Sequence, residues 1–350
     1  MIVKRFVLCA AMVMVAFTNH YLAAQDFNLT YTTEFQTDFR KGAKWVNLLR
    51  TDFLQSLGNS VNIEVASIGV ARTSDKKLVD DLQVYSNIEE ENLPLALAIL
   101  GINWHVGASS LFVGIRNLNE DYFNSPCTSL FTNSSCGIFP ALSANYPIAN
   151  YPIANYPVAS VGMDYKLKLG NWHVETSIYN GTGYNMFVGK ENVFRFCPKT
   201  DGILSITSLN YQNNDSGYYM GIALHSGMSA GDESGNDETE EKKKLNTVLW
   251  GYAEQKLSSG LYTLFQYSIN PTEKQGCRSY VGGGLVMRYK KIEGGVFADY
   301  ADFTTEHEWA SELTCKFLFG KSGYVQPAFH LIANTRECNW VGLIRLGYEI

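Results

Sequence analysis

Between Val161 and Tyr179 the chain reads V-G-M-D-Y-K-L-K-L-G-N-W-H-V-E-T-S-I-Y. Val161, Met163, Tyr165 and Leu167 fall on one face of an extended chain, and Gly162, Asp164, Lys166 and Lys168 on the other. That period of two is the signature of a β-strand with unlike faces. The next run repeats it: Trp172, Val174, Thr176 and Ile178 oppose His173, Glu175, Ser177 and Tyr179, and the link Leu169-Gly170-Asn171 has hairpin length. Tyr218 to His225 and Asn339 to Ile350 carry the same pattern. In a soluble sandwich the apolar face would point at a core. In a membrane barrel it meets lipid, and the polar face lines a lumen. Alternation is common to both.

Number and rhythm separate them. With 21 Tyr, 19 Phe and 30 Gly against 9 Pro, the chain is rich in strand formers. Strand candidates begin near positions 26, 45, 60, 95, 108, 158, 171, 202, 216, 244, 259, 278, 291, 306, 323 and 338, sixteen in all. Links near 107, 170, 257, 291 and 321 are short, whereas Asn117–Pro157, Asn180–Asp201 and Ser226–Lys244 are long. Short turns on the periplasmic side and long loops outside are the rhythm of an outer-membrane barrel. The pattern predicts an all-β fold, a transmembrane antiparallel β-barrel of sixteen strands, in the bacterial outer membrane. The nearest approach to a spanning helix, Leu93 to Ile102, has only strand length.

The chain opens with a basic Lys4-Arg5 and an apolar run from Phe6 to Phe17, then Leu22-Ala23-Ala24 before Gln25, which reads as a signal peptide over 1–24 with a single barrel over 25–350. Without Lys4 and Arg5, 26 basic residues face 34 acidic ones, a balance that offers nothing to a nucleic acid. Loss of Cys9 leaves Cys127, Cys136, Cys197, Cys277, Cys315 and Cys338, an even number in an exported chain. Proximity favours one disulfide, Cys127 with Cys136. No C-x-x-C or H-x-x-x-H spacing points to a metal, and His105, His173, His225, His307 and His330 read as structural or lumenal.

Gly114 to Ala159 is too long and too aromatic for an ordinary link, and is expected to be a folded insertion. Its segments L-F-V-G-I-R-N-L-N-E-D-Y-F (Leu111 to Phe123), L-F-T-N-S-S-C-G-I-F-P (Leu130 to Pro140) and N-Y-P-I-A-N-Y-P (Asn145 to Pro152) resemble the carbohydrate-selective porin family, OprB. The resemblance implies a third external loop, about 117–157, folded inward to narrow the channel. It implies passive uptake of small saccharides, with no catalysis and no cofactor. Outer-membrane lipid would be the surrounding partner, and the barrel a homotrimer or a monomer.

Within that loop, Arg116, Asn117, Asn119, Glu120 and Asp121 are the candidate polar constriction, and Tyr122 and Phe123 the candidate stacking surface. The competing reading has Arg116 paired with Glu120 or Asp121 to brace the loop, since a buried loop must satisfy its charges internally. A Cys127–Cys136 bond would staple the loop. The N-Y-P copies read as a stiff return to the next strand, because Pro restricts itself and its predecessor, or as sugar-stacking rings at Tyr146, Tyr151 and Tyr156. The run Asp232 to Lys244 reads as a solvated external loop, with calcium as the competing use. Two other function classes remain open: an outer-membrane lipid hydrolase, which needs a lipid-facing Ser–His pair with His330 as the histidine to test, and an anchor or adhesin without a channel.

Overall fold

The computed structural model describes residues 25–40, 42–89, 91–144, 158–226, 245–272 and 276–350. The signal segment 1–24, the rings of Tyr146, Tyr151 and Tyr156, and the run Asp232 to Lys244 lie outside the described residues.

Sixteen strands follow one another: β1 (Gln25–Thr37), β2 (Ala43–Ser56), β3 (Val61–Arg72), β4 (Leu93–Val106), β5 (Ser109–Arg116), β6 (Ser160–Leu169), β7 (Trp172–Asn180) and β8 (Ile203–Asn213). The second half runs β9 (Ser216–His225), β10 (Asn246–Ser258), β11 (Leu261–Ile269), β12 (Cys277–Tyr289), β13 (Ile292–Phe303), β14 (His307–Phe319), β15 (Gly323–Asn334) and β16 (Cys338–Glu349). Each pairs antiparallel with its neighbour, and β1 closes on β16 with Tyr31 opposite Tyr348 and Phe35 opposite Ile344. Closure removes the sheet edge, so the ladder satisfies its own backbone groups, the condition for spanning a bilayer with strands. Among the described residues no helix is long and apolar enough to cross a membrane.

The apolar faces point outward. Met163, Met220, Leu313 and Ile344 are about half exposed or more, on the side away from the lumen. Aromatic rings gather near both ends of this band: Trp172 lies 4.8 Å from Tyr211 at the short-turn end, and Trp309 lies 4.8 Å from Tyr300 near the other. An apolar belt flanked by aromatic rings is the exterior of an outer-membrane barrel, where lipid takes the place of a core.

The polar faces point into a lumen that, among the described residues, the external loops after β3 and β5 partly fill. In the loop after β3, Tyr85 donates to Gln36 at 2.8 Å, Ser86 donates to Glu34 at 2.6 Å, and the backbone of Leu82 and Gln83 donates to Glu308 at 2.8 and 3.0 Å. The loop after β5 docks through its backbone. Glu312 accepts from the amides of Thr132 and Asn133 at 2.9 and 3.0 Å, while Gln266 donates to Cys136 O at 2.7 Å and Gln326 to Leu130 O at 2.6 Å. The two loops also bond each other, Asn87 N to Thr132 O and Ser134 N to Val84 O. These inward polar residues supply the partners that a buried irregular backbone requires.

The expected Cys127–Cys136 disulfide is corrected here: both are free, buried thiols. They belong to separate short turns held by separate wall residues, Cys127 N by Glu254 at 2.7 Å and Cys136 O by Gln266. Both pack in an apolar cluster with Leu130, Phe131, Leu264, Val286 and Phe297. Burial pushes the Cys127 thiol up to about 12 and Cys136 well above its usual value, which suppresses the thiolate that oxidation needs. Maleimide should therefore leave both unlabelled in the folded barrel and label both after denaturation without reductant. Labelling in neither state would restore the disulfide.

Candidate functional site

Arg116 ends β5 pointing into the lumen, and the chain turns immediately. Asn117 caps the turn Leu118–Glu120, its side chain accepting from Asn119 N at 2.8 Å and donating to Val158 O at 2.5 Å. The turn throws Asp121 back onto Arg116, whose guanidinium grips both carboxylate oxygens, the Nη2–Oδ1 contact being 2.6 Å. Lys166 of β6 reaches the same carboxylate at 2.5 Å, and Glu64 of β3 holds Arg116 at 2.8 Å. Glu120 goes elsewhere, to Arg50 of β2, in a forked pair at 2.6 and 3.0 Å. Of the two readings for Arg116, the side-chain contacts are those of a brace, with Asp121 as partner. Burial opposes the charge on Asp121, but Arg116 and Lys166 outweigh it and hold the carboxyl below its ordinary range.

Tyr122 and Phe123 are placed as anchors, 2 % and 1 % exposed. The Tyr122 hydroxyl meets Ser177 Oγ at 2.7 Å. Phe123 takes a left-handed φ of 67°, which turns its ring between Trp250 at 4.8 Å and Phe139 at 5.1 Å. Asn119 is absorbed locally, donating to Tyr122 O at 3.2 Å.

Beside this anchored segment lies a cavity of about 470 Å³, bounded by Asp121, Asn124 and Lys166 and, across from them, by β7 to β10. Two cross-strand rows make its far wall. One runs Ser208, Gly221, Trp250; the next runs Asn210, Tyr219, Tyr252. A Cβ at Gly221 would sit 2.3 Å from the Trp250 ring, so only glycine lets the indole lie flat across β9. Tyr219 and Tyr252 stack at 4.2 Å with 9° between their planes. Ser208 Oγ, Asn210 Oδ1 and Trp250 Nε1 are buried and have no hydrogen-bond partner among the described residues. Near Asp121 the lining is charged; along these rows it is neutral, aromatic and short of partners.

Asp121, Asp164 and Glu175 bring carboxylate oxygens within 4.8 Å of one another, a grouping hidden in the sequence because three separate segments supply it. Lys166 stands among them, at 2.5 Å from Asp121, 3.3 Å from Glu175 and 3.7 Å from Asp164, and supplies the countercharge. Alternation around residue 170 did place Asp164, Lys166, His173 and Glu175 on one face. Nothing local indicated that Asp121 would join them, or that β8 to β10 would complete the wall. His330, by contrast, faces inward: it is buried against Thr132 at 3.0 Å and Tyr85, away from the lipid side that a lipid hydrolase would need.

No protein-family model and no curated protein matches the chain. Solved structures do. The high-pH structure of Pseudomonas putida OprB superposes with a TM-score of 0.74 at 13 % identity, over 93 % of this chain and 94 % of that one. The chain has the porin fold. A mutant of the Rhodopseudomonas blastica porin shares it, with a TM-score of 0.62 at 9 % identity over 93 % of this chain and all of that one. The low-pH structure of Pseudomonas putida OprB follows at 0.57 and 12 %. With this fold, the outward apolar belt and the lumenal charges have the disposition of an outer-membrane barrel.

Proposed function

We propose that this porin-fold barrel is a passive outer-membrane channel selective for small saccharides, with the loop from Asn117 to Ser143 as its constriction. The reading includes no chemical step and no cofactor. The observation that carries it is the wall of the 470 Å³ cavity, where the Ser208–Gly221–Trp250 and Asn210–Tyr219–Tyr252 rows face the braced loop. A saccharide is uncharged, rich in hydroxyls and flat on its C–H faces. Aromatic rings suit those faces, and donors and acceptors without partners suit hydroxyls. A neutral polar wall also gives an ion little in exchange for its hydration shell. Arg116, Glu120 and Asp121 serve by holding the loop at the right distance from that wall, while Asn119, Tyr122 and Phe123 set its shape.

The test is conductance of the purified barrel in planar bilayers with mono- and oligosaccharides as blockers, alongside liposome swelling. Neutral sugars should permeate by size and block the current reversibly. Asn210→Ala should weaken block by about fivefold, the equivalent of one hydrogen bond near 1 kcal/mol. A barrel without conductance would favour the anchor reading. Saccharide block indifferent to Asn210, Trp250 and Tyr252 would remove the sugar assignment from this cavity.

A further inference from the structure

The external loop between β7 and β8, positions 181–202, behaves differently from the loops after β3 and β5, which enter the lumen. Its Val193 is buried with Ile115 and Ala159. Arg116 points into the lumen, so Ile115, next to it, points out; yet Ile115 is 3 % exposed while Val113, two residues below on the same face, is 42 % exposed. What covers Ile115 is this loop, lying on the outside of the barrel wall. Tyr184 N bonds Ala159 O at 3.2 Å to seat it, and a Cβ on Gly183 would fall 2.6 Å from that same carbonyl, so the close approach depends on glycine.

The loop's polar groups are largely spent within it. Arg195 pairs with Asp201 at 3.0 Å and donates to Lys190 O at 2.9 Å, Asn180 accepts from Cys197 N at 2.8 Å, and Gly181 N bonds Gly202 O at 2.9 Å. Its large apolar side chains are turned away: Met186, Phe187, Val188, Phe194 and Phe196 are all exposed. The wall just below presents Val113, Met163 and Ile178, adjacent in register and also exposed, and the loop runs directly into the exposed Ile203 of β8. The lipid-facing belt thus continues from the strands onto the loop.

We propose that this loop is a membrane-seated clamp, with Phe187, Val188, Phe194 and Phe196 among the acyl chains of the outer leaflet. The inference rests on the spanning barrel and is independent of the saccharide reading. Lipid is favoured over a protein partner by placement, because the loop covers wall positions that would otherwise touch lipid and presents apolar surface in their stead.

The experiment reconstitutes the full chain in phosphatidylcholine vesicles carrying brominated acyl chains. It reads the tryptophan emission added by Phe194→Trp, by Phe265→Trp in the belt, and by Lys76→Trp on another external loop. Phe194→Trp should lose emission in parallel with Phe265→Trp as the brominated fraction rises, while Lys76→Trp keeps its emission. Behaviour like Lys76→Trp overturns the proposal. A photoreactive benzoylphenylalanine at position 194 then identifies the neighbour: a lipid adduct supports the clamp, and an adduct to a second copy of the chain replaces it with a protein interface.

Discussion

Excision of Leu118–Leu142, joining Asn117 to Ser143, is expected to raise single-channel conductance several-fold and to erase discrimination between saccharides of different size. The segment places a body of large side chains inside the lumen: Leu118, Tyr122, Phe123, Phe131, Phe139 and Leu142 are all buried against the inner wall. Removing it returns Glu254, Asp299 and Glu312, now occupied with loop amides and hydroxyls, to water. Hydrated carboxylates in a widened lumen would also shift selectivity toward cations. The sixteen-strand ladder does not pass through the segment, so the barrel should still fold, a point checked by its heat-modifiable migration on gels. Unchanged conductance and size cut-off in a folded variant would show that the loop is not the filter.

The second large effect belongs to Asp121. Asp121→Ala removes the carboxylate shared by Arg116 and Lys166, leaving an 11 % exposed guanidinium held by Glu64 alone. Breaking one partner of a buried pair costs about 3 kcal/mol, enough to undock the turn Leu118–Glu120 for part of the time. Conductance should become noisy, and the uncovered cations should draw anions through. Arg116→Ala added to Asp121→Ala should recover part of the loss, and strictly additive effects would show that the two do not act as a brace. The pH dependence has a definite sign. Asp121 is held below its ordinary value of 3.8, so its contribution is present above that pH and disappears as pH falls through the lower folded value. Protonation of Asp121 in acid, below about 3.8, should therefore raise the loop noise.

Much of the barrel is legible along the chain. Observed strands begin within two residues of every expected start, and Ile344 and Tyr348 point outward as their period of two requires. The lumenal site is legible only in part. Arg116 reads as a charge needing a partner, with Glu120 and Asp121 as equal candidates, whereas Glu120 pairs with Arg50, 70 residues earlier. Tyr122 and Phe123 read in the sequence as a stacking surface, and their burial is not legible there because it depends on Ser177 and Trp250. Cys127 and Cys136 are close in sequence, and sequence distance says nothing about which wall residue each turn is tied to.

Alternation and link length are properties of neighbouring residues, and a bilayer makes the same demand at every strand. The strand number, the outward face and the place of the long loop therefore follow from the sequence by itself. Only the register of β8, β9 and β10 sets Ser208 and Asn210 in rows with Trp250 and Tyr252, and only docking of the loop brings Asp121 to Lys166. A period of two gives the face of each residue, but it carries no information about the register of one strand on the next or about which loop will dock opposite.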